Sequence, residues 1–302
     1  MTSDGRPPLD RRALARALSA AADMSAREAL ADLSSPYDTP SHIVALTGAP
    51  GVGKSSLTGA LAEHRLAGGR RIGILAIDPT SRTTGGAILG DRIRMEERLQ
   101  SEDLYLRSLG NRHSGEGMTD NIVDIAAVMD RFGFDEVMLE TVGVGQTDTA
   151  VRRLADTVVL VLMPGAGDYV QAMKAGVMEM ADIFVVNKAD MDGADRLVSE
   201  ITNIAGRATG TGWTPPVLTV SARTGQGVAA FSQAVDDHRA FVAGRALEAR
   251  RAVRTRARIA ALLHRRLDEI LEAQPTDSEP GDLVRTVLET LSQDAGHHGR
   301  TA

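Results

Sequence analysis

The chain has 302 residues, 43% hydrophobic and 25% charged, a composition with room for one large buried core and appended elements. Its net charge of −6 gives no global attraction to nucleic acid, and the absence of cysteine excludes disulfides, Cys-ligated metal centres and thiol chemistry. The start, MTSDGRPPLDRR, has no signal-type apolar run and the longest apolar stretch lies near Val158–Met163, so a cytoplasmic protein with no membrane or nucleic-acid partner is expected.

In chain order, Asp10–Leu33 reads as an Ala-rich amphipathic helix, ended by the stretch carrying Pro36 and Pro40. A strand is expected at His42–Thr47, a helix from Lys54, a strand at Arg71–Ile77 and a short one at Leu104–Leu106. Asn121–Arg131 reads as a helix, Glu136–Leu139 and Thr157–Met163 as strands, Ile183–Val186 as a strand, Ala194–Ala208 as a helix and Val217–Val220 as the last strand. This alternation predicts an α/β fold, a mostly parallel sheet with helices on both faces. Such sheets bind ligands at the carboxyl ends of their strands. Beyond Phe241 the pattern becomes helical, with an Arg- and Ala-rich segment at Gly244–Ala273, an interruption at Pro275–Pro280 and a helix at Asp282–Leu291. The tail from Gln293 is polar and is expected to be disordered. Three units are therefore expected: 1–40, a helical extension; 41–243, the nucleotide-binding domain; and 244–302, a helical arm with its tail.

Gly48-Ala49-Pro50-Gly51-Val52-Gly53-Lys54-Ser55 fits G-x-x-x-x-G-K-[ST] between a strand and a helix, the setting of a P-loop. Its glycines allow a tight turn that aims backbone N–H groups at phosphate oxygens, and the helix N-terminus adds partial positive charge. Lys54 is expected at the β- and γ-phosphates and Ser55 on Mg²⁺, with Ser56 completing the nucleotide-binding turn. Only Lys54, Lys174 and Lys188 are lysines among 34 basic residues. Positions 54 and 188 thus point to sites that need an ammonium group, although with three residues chance placement fits as well.

Asn187-Lys188-Ala189-Asp190 follows a strand. The Asp190 carboxylate is placed to accept hydrogen bonds from guanine N1–H and the exocyclic amino group, a pattern adenine does not offer. Ser221-Ala222-Arg223 follows the last strand, and the Ala222 N–H is expected at guanine O6. The order of these three motifs is the guanine-nucleotide layout. Glu140-Thr141-Val142-Gly143 stands where small GTPases carry Asp-x-x-Gly. Glu140 is a magnesium candidate, and Gly143 is a candidate donor to the γ-phosphate. Asp78 and Asp91 are further acidic candidates, for which a capping or turn role fits equally well. Val144 occupies the position where Ras-like proteins have the water-orienting Gln, and Gln146 comes two residues later. Slow intrinsic hydrolysis that depends on a partner is expected, with Gln146 the candidate for orienting water.

Longer stretches carry a specific resemblance. Ala49–Leu57, Asp78-Pro79-Thr80-Ser81, Gly85–Met95, Glu140–Gln146, Pro164–Asp168, Lys174–Glu179 and Ala181–Asp190 resemble the MeaB/ArgK family of G proteins, which includes the human methylmalonic aciduria type A protein. The resemblance implies a chaperone that uses GTP binding and hydrolysis, with GTP/GDP and Mg²⁺, to gate adenosylcobalamin loading and protection of a B12-dependent acyl-CoA mutase. It also implies an acidic magnesium cluster of Asp78, Asp91 and Glu140, switches at Asp78–Met95 and Glu140–Asp148, and a homodimer formed through the C-terminal arm. Where that family carries a Gly-rich stretch of the GHLGGL kind, this chain has Asn111–Met118, which leaves the identity of the mutase open. His113 and Glu116 in that stretch read as loop residues.

Two other functions fit a P-loop chain. A nickel-delivering metallochaperone GTPase would want Cys or a His-rich tract, and His297-His298 is too little. A small-molecule kinase of the arginine type has no use for the guanine motifs at Asn187–Asp190 and Ser221–Ala222.

Overall fold

The computed structural model describes residues 7–31, 41–78, 99, 101–110, 122–141, 154–165, 181–205, 212–243 and 247–296. Its strands are β1 (His42–Thr47), β2 (Ile72–Asp78), β3 (Leu104–Gly110), β4 (Glu136–Glu140), β5 (Thr157–Leu162), β6 (Ile183–Val186) and β7 (Val217–Thr219). The described helices are α1 (Arg11–Asp23), α2 (Ala26–Ala31), α3 (Lys54–Ala67), α4 (Ile122–Arg131), α5 (Ala194–Ala205), α6 (Val228–Ala243), α7 (Leu247–Glu272) and α8 (Pro280–Gly296).

The strands form one seven-stranded sheet in the order β3-β2-β4-β1-β5-β6-β7, and every pairing is parallel. All the carboxyl ends therefore lie along one edge. β1 sits between β4 and β5, where the winding reverses, the position at which open parallel sheets hold ligands. β1 and β5 are buried along their whole length, as strands covered on both faces must be.

The pleat sends alternate residues to opposite faces. Val44 and Leu46 of β1 join Val159 and Val161 of β5 in a core closed by Leu57 and Leu61 of α3 and Phe231 and Val235 of α6. Ile43 and Ala45 face the other way, into a core with Leu14 and Leu18 of α1 and Ile122 and Ile125 of α4. Leu160 and Leu162 pack with Phe184, Val186 and α5 residues Leu197 and Ile201. At the amino edge of the sheet, fully buried Glu136 of β4 lies 3.3 Å from Arg70 and 3.7 Å from Arg65. Arg65 and Arg70 also bind Asp236 of α6, at 2.6 and 2.8 Å respectively, so this ionic cluster joins the end of α3 to the sheet.

Three expectations need correction. The single helix expected over Asp10–Leu33 is broken at Met24, whose φ of −63° and ψ of 131° are extended. Ser25 starts a new helix through a capping box: its hydroxyl accepts from the Glu28 N–H (3.2 Å), and Glu28 accepts from the Ser25 N–H (3.0 Å). The short strand at Leu104–Leu106 runs on to Gly110, paired with β2 along its full length and tied to α1 by Arg107, which donates to Ala15 O and Ser19 Oγ. The tail expected to be disordered from Gln293 is helical to Gly296, because Asp294 accepts from Arg266 (2.7 Å) and lies 3.5 Å from Arg27.

The Arg-rich α7 is not merely a solvated face. Arg258 donates to Asp124 of α4 at 2.7 Å, Arg265 donates to Met24 O, and Glu269 accepts from the Ala26 N–H. α7 thus bridges the N-terminal helices and the sheet domain.

Candidate functional site

Five chain segments meet at the carboxyl edge of the sheet. The first is the turn after β1. Gly48 has φ of +148° and a Cβ there would lie 2.2 Å from the Val161 carbonyl oxygen, while Gly53 has φ of +90° and a Cβ there would lie 2.5 Å from Asn187 Nδ2. Only glycine meets both demands of backbone angle and close approach. Lys54 opens α3 and folds back over the turn, donating from Nζ to Gly48 O (2.9 Å) and Ala49 O (3.0 Å). The turn from Gly48 to Lys54, with Ser55 and Ser56 in the first turn of α3, has the shape expected of a phosphate cradle.

The second segment is the end of β4. Glu140 accepts a hydrogen bond from the Ser55 hydroxyl, so the two oxygen groups expected on the cation face one another. Thr141 anchors this end to β1 through its N–H and hydroxyl, both donated to Leu46 O (3.2 and 3.3 Å). The Asp78 side chain, Asp91, Gly143, Val144 and Gln146 lie outside the described residues, as do Asn111–Met118, most of Asp78–Met95 and the Val142–Asp148 part of the second switch.

The third, fourth and fifth segments follow β5, β6 and β7. Asn187 is 2% exposed and is the central tie: its Nδ2 donates to Val52 O (2.8 Å) and its Oδ1 accepts from the Ala222 N–H (3.2 Å). One amide thus joins the P-loop, the end of β6 and the loop after β7. Lys188 has φ of 58°, the one positive value for a non-glycine among the described residues. That conformation costs about 1–2 kcal/mol. Lys188 Nζ reaches Gly51 O (2.8 Å) and Met163 Sδ (3.3 Å), the latter just after β5. Asp190 accepts from Ser221 Oγ (2.6 Å) and Arg223 (2.8 Å). These two donors, Ser221 first, hold its carboxyl well below the usual range, at about 2.

The residues expected at the site and described here are thus brought together, with one difference. The Ala222 N–H, expected to face guanine O6, is bonded to Asn187, so an O6 contact would share or displace that bond. Met163, Thr141 and the Ser221 hydroxyl as Asp190's partner are site features not marked by the sequence motifs. For Ser221 the signal was present, since its hydroxyl stands at the end of a strand neighbouring the one that carries Asp190.

A parallel sheet with a glycine-rich turn after its central strand and a lysine opening the next helix defines a P-loop nucleoside triphosphatase. The Asn-Lys-x-Asp and Ser-Ala loops beside it mark the guanine-nucleotide type. Comparison with known proteins makes this particular. The family model described as Methylmalonyl Co-A mutase-associated GTPase MeaB matches residues 12–276. The chain belongs to this family and is a GTPase. A putative GTPase of Pyrococcus horikoshii is 41% identical over 249 residues, 80% of this chain and 78% of that one. A putative GTPase of Caulobacter vibrioides is 36% identical, over 88% of this chain and 85% of its own. The methylmalonic aciduria type A homolog, mitochondrial, of Mus musculus is 36% identical over 61% of this chain and 46% of its own. The crystal structure of a LAO/AO transport system kinase shares the fold, with a TM-score of 0.65, 22% identity and 94% of each chain covered.

Proposed function

We propose that this GTPase is a chaperone for an adenosylcobalamin-dependent acyl-CoA mutase, using GTP binding and hydrolysis to gate cofactor loading and to protect the mutase from inactivation. The observation that carries the nucleotide part is the Asn187 amide, which joins the phosphate turn to both base-reading loops. The family supports the mutase part.

In this reading Gly48–Ser56 cradle the phosphates, with Lys54 moving from the Gly48 and Ala49 carbonyls to the β- and γ-phosphates. Asn187, Lys188, Asp190, Ser221 and Ala222 hold the base, with Arg223 paired to Asp190 at its edge. Ser55 and Glu140 offer a hydroxyl and a carboxylate side by side, the hard oxygen donors that Mg²⁺ takes, so the residues fit the ion; Asp78 and Asp91 would complete the acidic set. When bound, the cation would neutralise charge on the β- and γ-phosphate oxygens. Gly143 is assigned to the γ-phosphate and Gln146 to the attacking water. With Val144 in place of the usual Gln, hydrolysis is slow until a partner completes the site.

The three-unit division at 40/41 and 243/244 stands as part of this proposal, with the third unit as the dimer arm. Supporting it, Leu263 and Leu271 of α7 and Val284 and Leu288 of α8 are exposed, the last two at 59% and 64%. The proposed location is the cytoplasm, with no role for nucleic acid; no helix among the described residues is long and apolar enough to cross a membrane.

The test is GTP turnover by the full chain alone and with an adenosylcobalamin-dependent acyl-CoA mutase. Turnover should be slow alone and change by roughly ten-fold or more with the mutase, within the range by which partners complete such sites. Equal turnover in both conditions, with no nucleotide effect on mutase loading, would refute the chaperone reading.

A further inference from the structure

The two carboxylate oxygens of Asp190 are held from opposite environments. Ser221, fully buried, donates to Oδ1 at 2.6 Å. Arg223, with a side chain 76% exposed, donates from one guanidinium nitrogen to Oδ2 at 2.8 Å. The Asp190 side chain is 28% exposed, so its open face and the guanidinium lie on the solvent side, from which a base must arrive.

Guanine presents two parallel donors, N1–H and the exocyclic amino group, and uses both oxygens of a carboxylate. Hypoxanthine presents N1–H alone and needs only one. We infer that Arg223 is a specificity-determining residue: it covers Oδ2 of Asp190 and is exchanged for the exocyclic amino group when guanine enters. This rests on the reading of Asp190 as the group that recognises the base. Ser221 already orients the carboxylate from beneath, so Arg223 is not needed to position it. An exposed pair of this kind is weak and opens readily, so it tunes entry without blocking it. The guanidinium and the exocyclic amino group both approach Oδ2 from the solvent side, so guanine makes its second bond in competition with the guanidinium, whereas hypoxanthine needs Oδ1 alone. Arg223 therefore slows guanine association and narrows the preference for guanine over hypoxanthine.

The test is stopped-flow association and dissociation of fluorescent GDP and fluorescent IDP with the full chain, as wild type, Arg223→Ala, Arg223→Met and Asp190→Ala. Both Arg223 variants should bind GDP about two- to five-fold faster, the range an exposed ion pair can supply, with IDP association and both dissociation rates unchanged. Unchanged or slower GDP association, or faster GDP dissociation, would overturn the inference and make Arg223 a support for the bound base. Asp190→Ala separates the two levels. If it binds GDP as wild type does, the reading of the base site itself fails. If it loses GDP while the Arg223 variants behave as wild type, only the role of Arg223 fails.

Discussion

Asp190 is the residue to which the proposed function assigns recognition of the base. Hydrogen bonds from Ser221 and then Arg223 hold its carboxyl at about 2. A carboxylate depressed in the folded state stabilises the fold above its unfolded value, near 3.9, and loses that contribution as pH falls toward the folded value. Asp190 is thus fully ionised from pH 5 to 8, and the ratio of GDP to ADP affinity is expected to stay flat across that window, measured by calorimetric titration. Ser221→Ala removes the larger support and should raise the Asp190 midpoint, read by carboxyl-carbon NMR. Gly53 is a second such residue. A Cβ at φ of +90°, 2.5 Å from Asn187 Nδ2, forces strain and breaks the tie between loops. Strain of this kind costs about 1–3 kcal/mol, so Gly53→Ala should weaken GDP binding roughly ten-fold or more in the same titration.

At the scale of elements, strands were the most legible part of the sequence. β1, β5 and β6 are unbroken apolar runs because both faces of a parallel sheet are covered, and their expected positions agree with the structure to within one residue. The motif loops were legible for a different reason: each follows a strand end, and parallel pairing carries all the ends to one edge. Features set by distant contacts were not legible. The break at Met24 depends on Ser25 and Glu28, a local signal, but α2 is only six residues long and survives through buried Ala26 and Ala29 and through Glu269 of α7. The helical end of α8 depends on Asp294 meeting Arg266 from the helix before it. Met163 joined the site only because β5 and β6 are adjacent. The capping box gives a direct test. Ser25→Ala should cost about 1 kcal/mol of stability, read as a lowered denaturation midpoint with an unchanged slope.

Over the whole molecule, the amino and carboxyl edges of the sheet carry different chemistry. The carboxyl edge gathers the loops proposed to hold the nucleotide, and the amino edge is closed by Glu136, Arg65, Arg70 and Asp236. Burial raises the Glu136 carboxyl, with the arginines opposing that rise, while at Asp236 burial, the largest single influence, is overcome by the hydrogen bonds and charges of Arg65 and Arg70 together, which lower it. Arg65→Ala would remove the largest of the charges that oppose burial at Glu136, leaving Arg70 and Arg239, and is expected to cost about 3–5 kcal/mol in chemical denaturation. The proposed dimer is tested at the same scale. Replacing Val284 and Leu288 together with Asp should convert a dimer to a monomer by light scattering, with the nucleotide site intact.

The central claim is that the loops at the carboxyl edge form a guanine-nucleotide site read by Asp190. Its most direct test is Asp190→Asn, titrated with GDP and with XDP, the xanthosine diphosphate. The asparagine amide can donate to the C2 carbonyl of xanthine but cannot accept from both guanine donors. The variant is expected to lose roughly a hundred-fold or more in GDP affinity, the worth of charge-assisted hydrogen bonds, and to prefer XDP. A variant that still prefers GDP would contradict the claim.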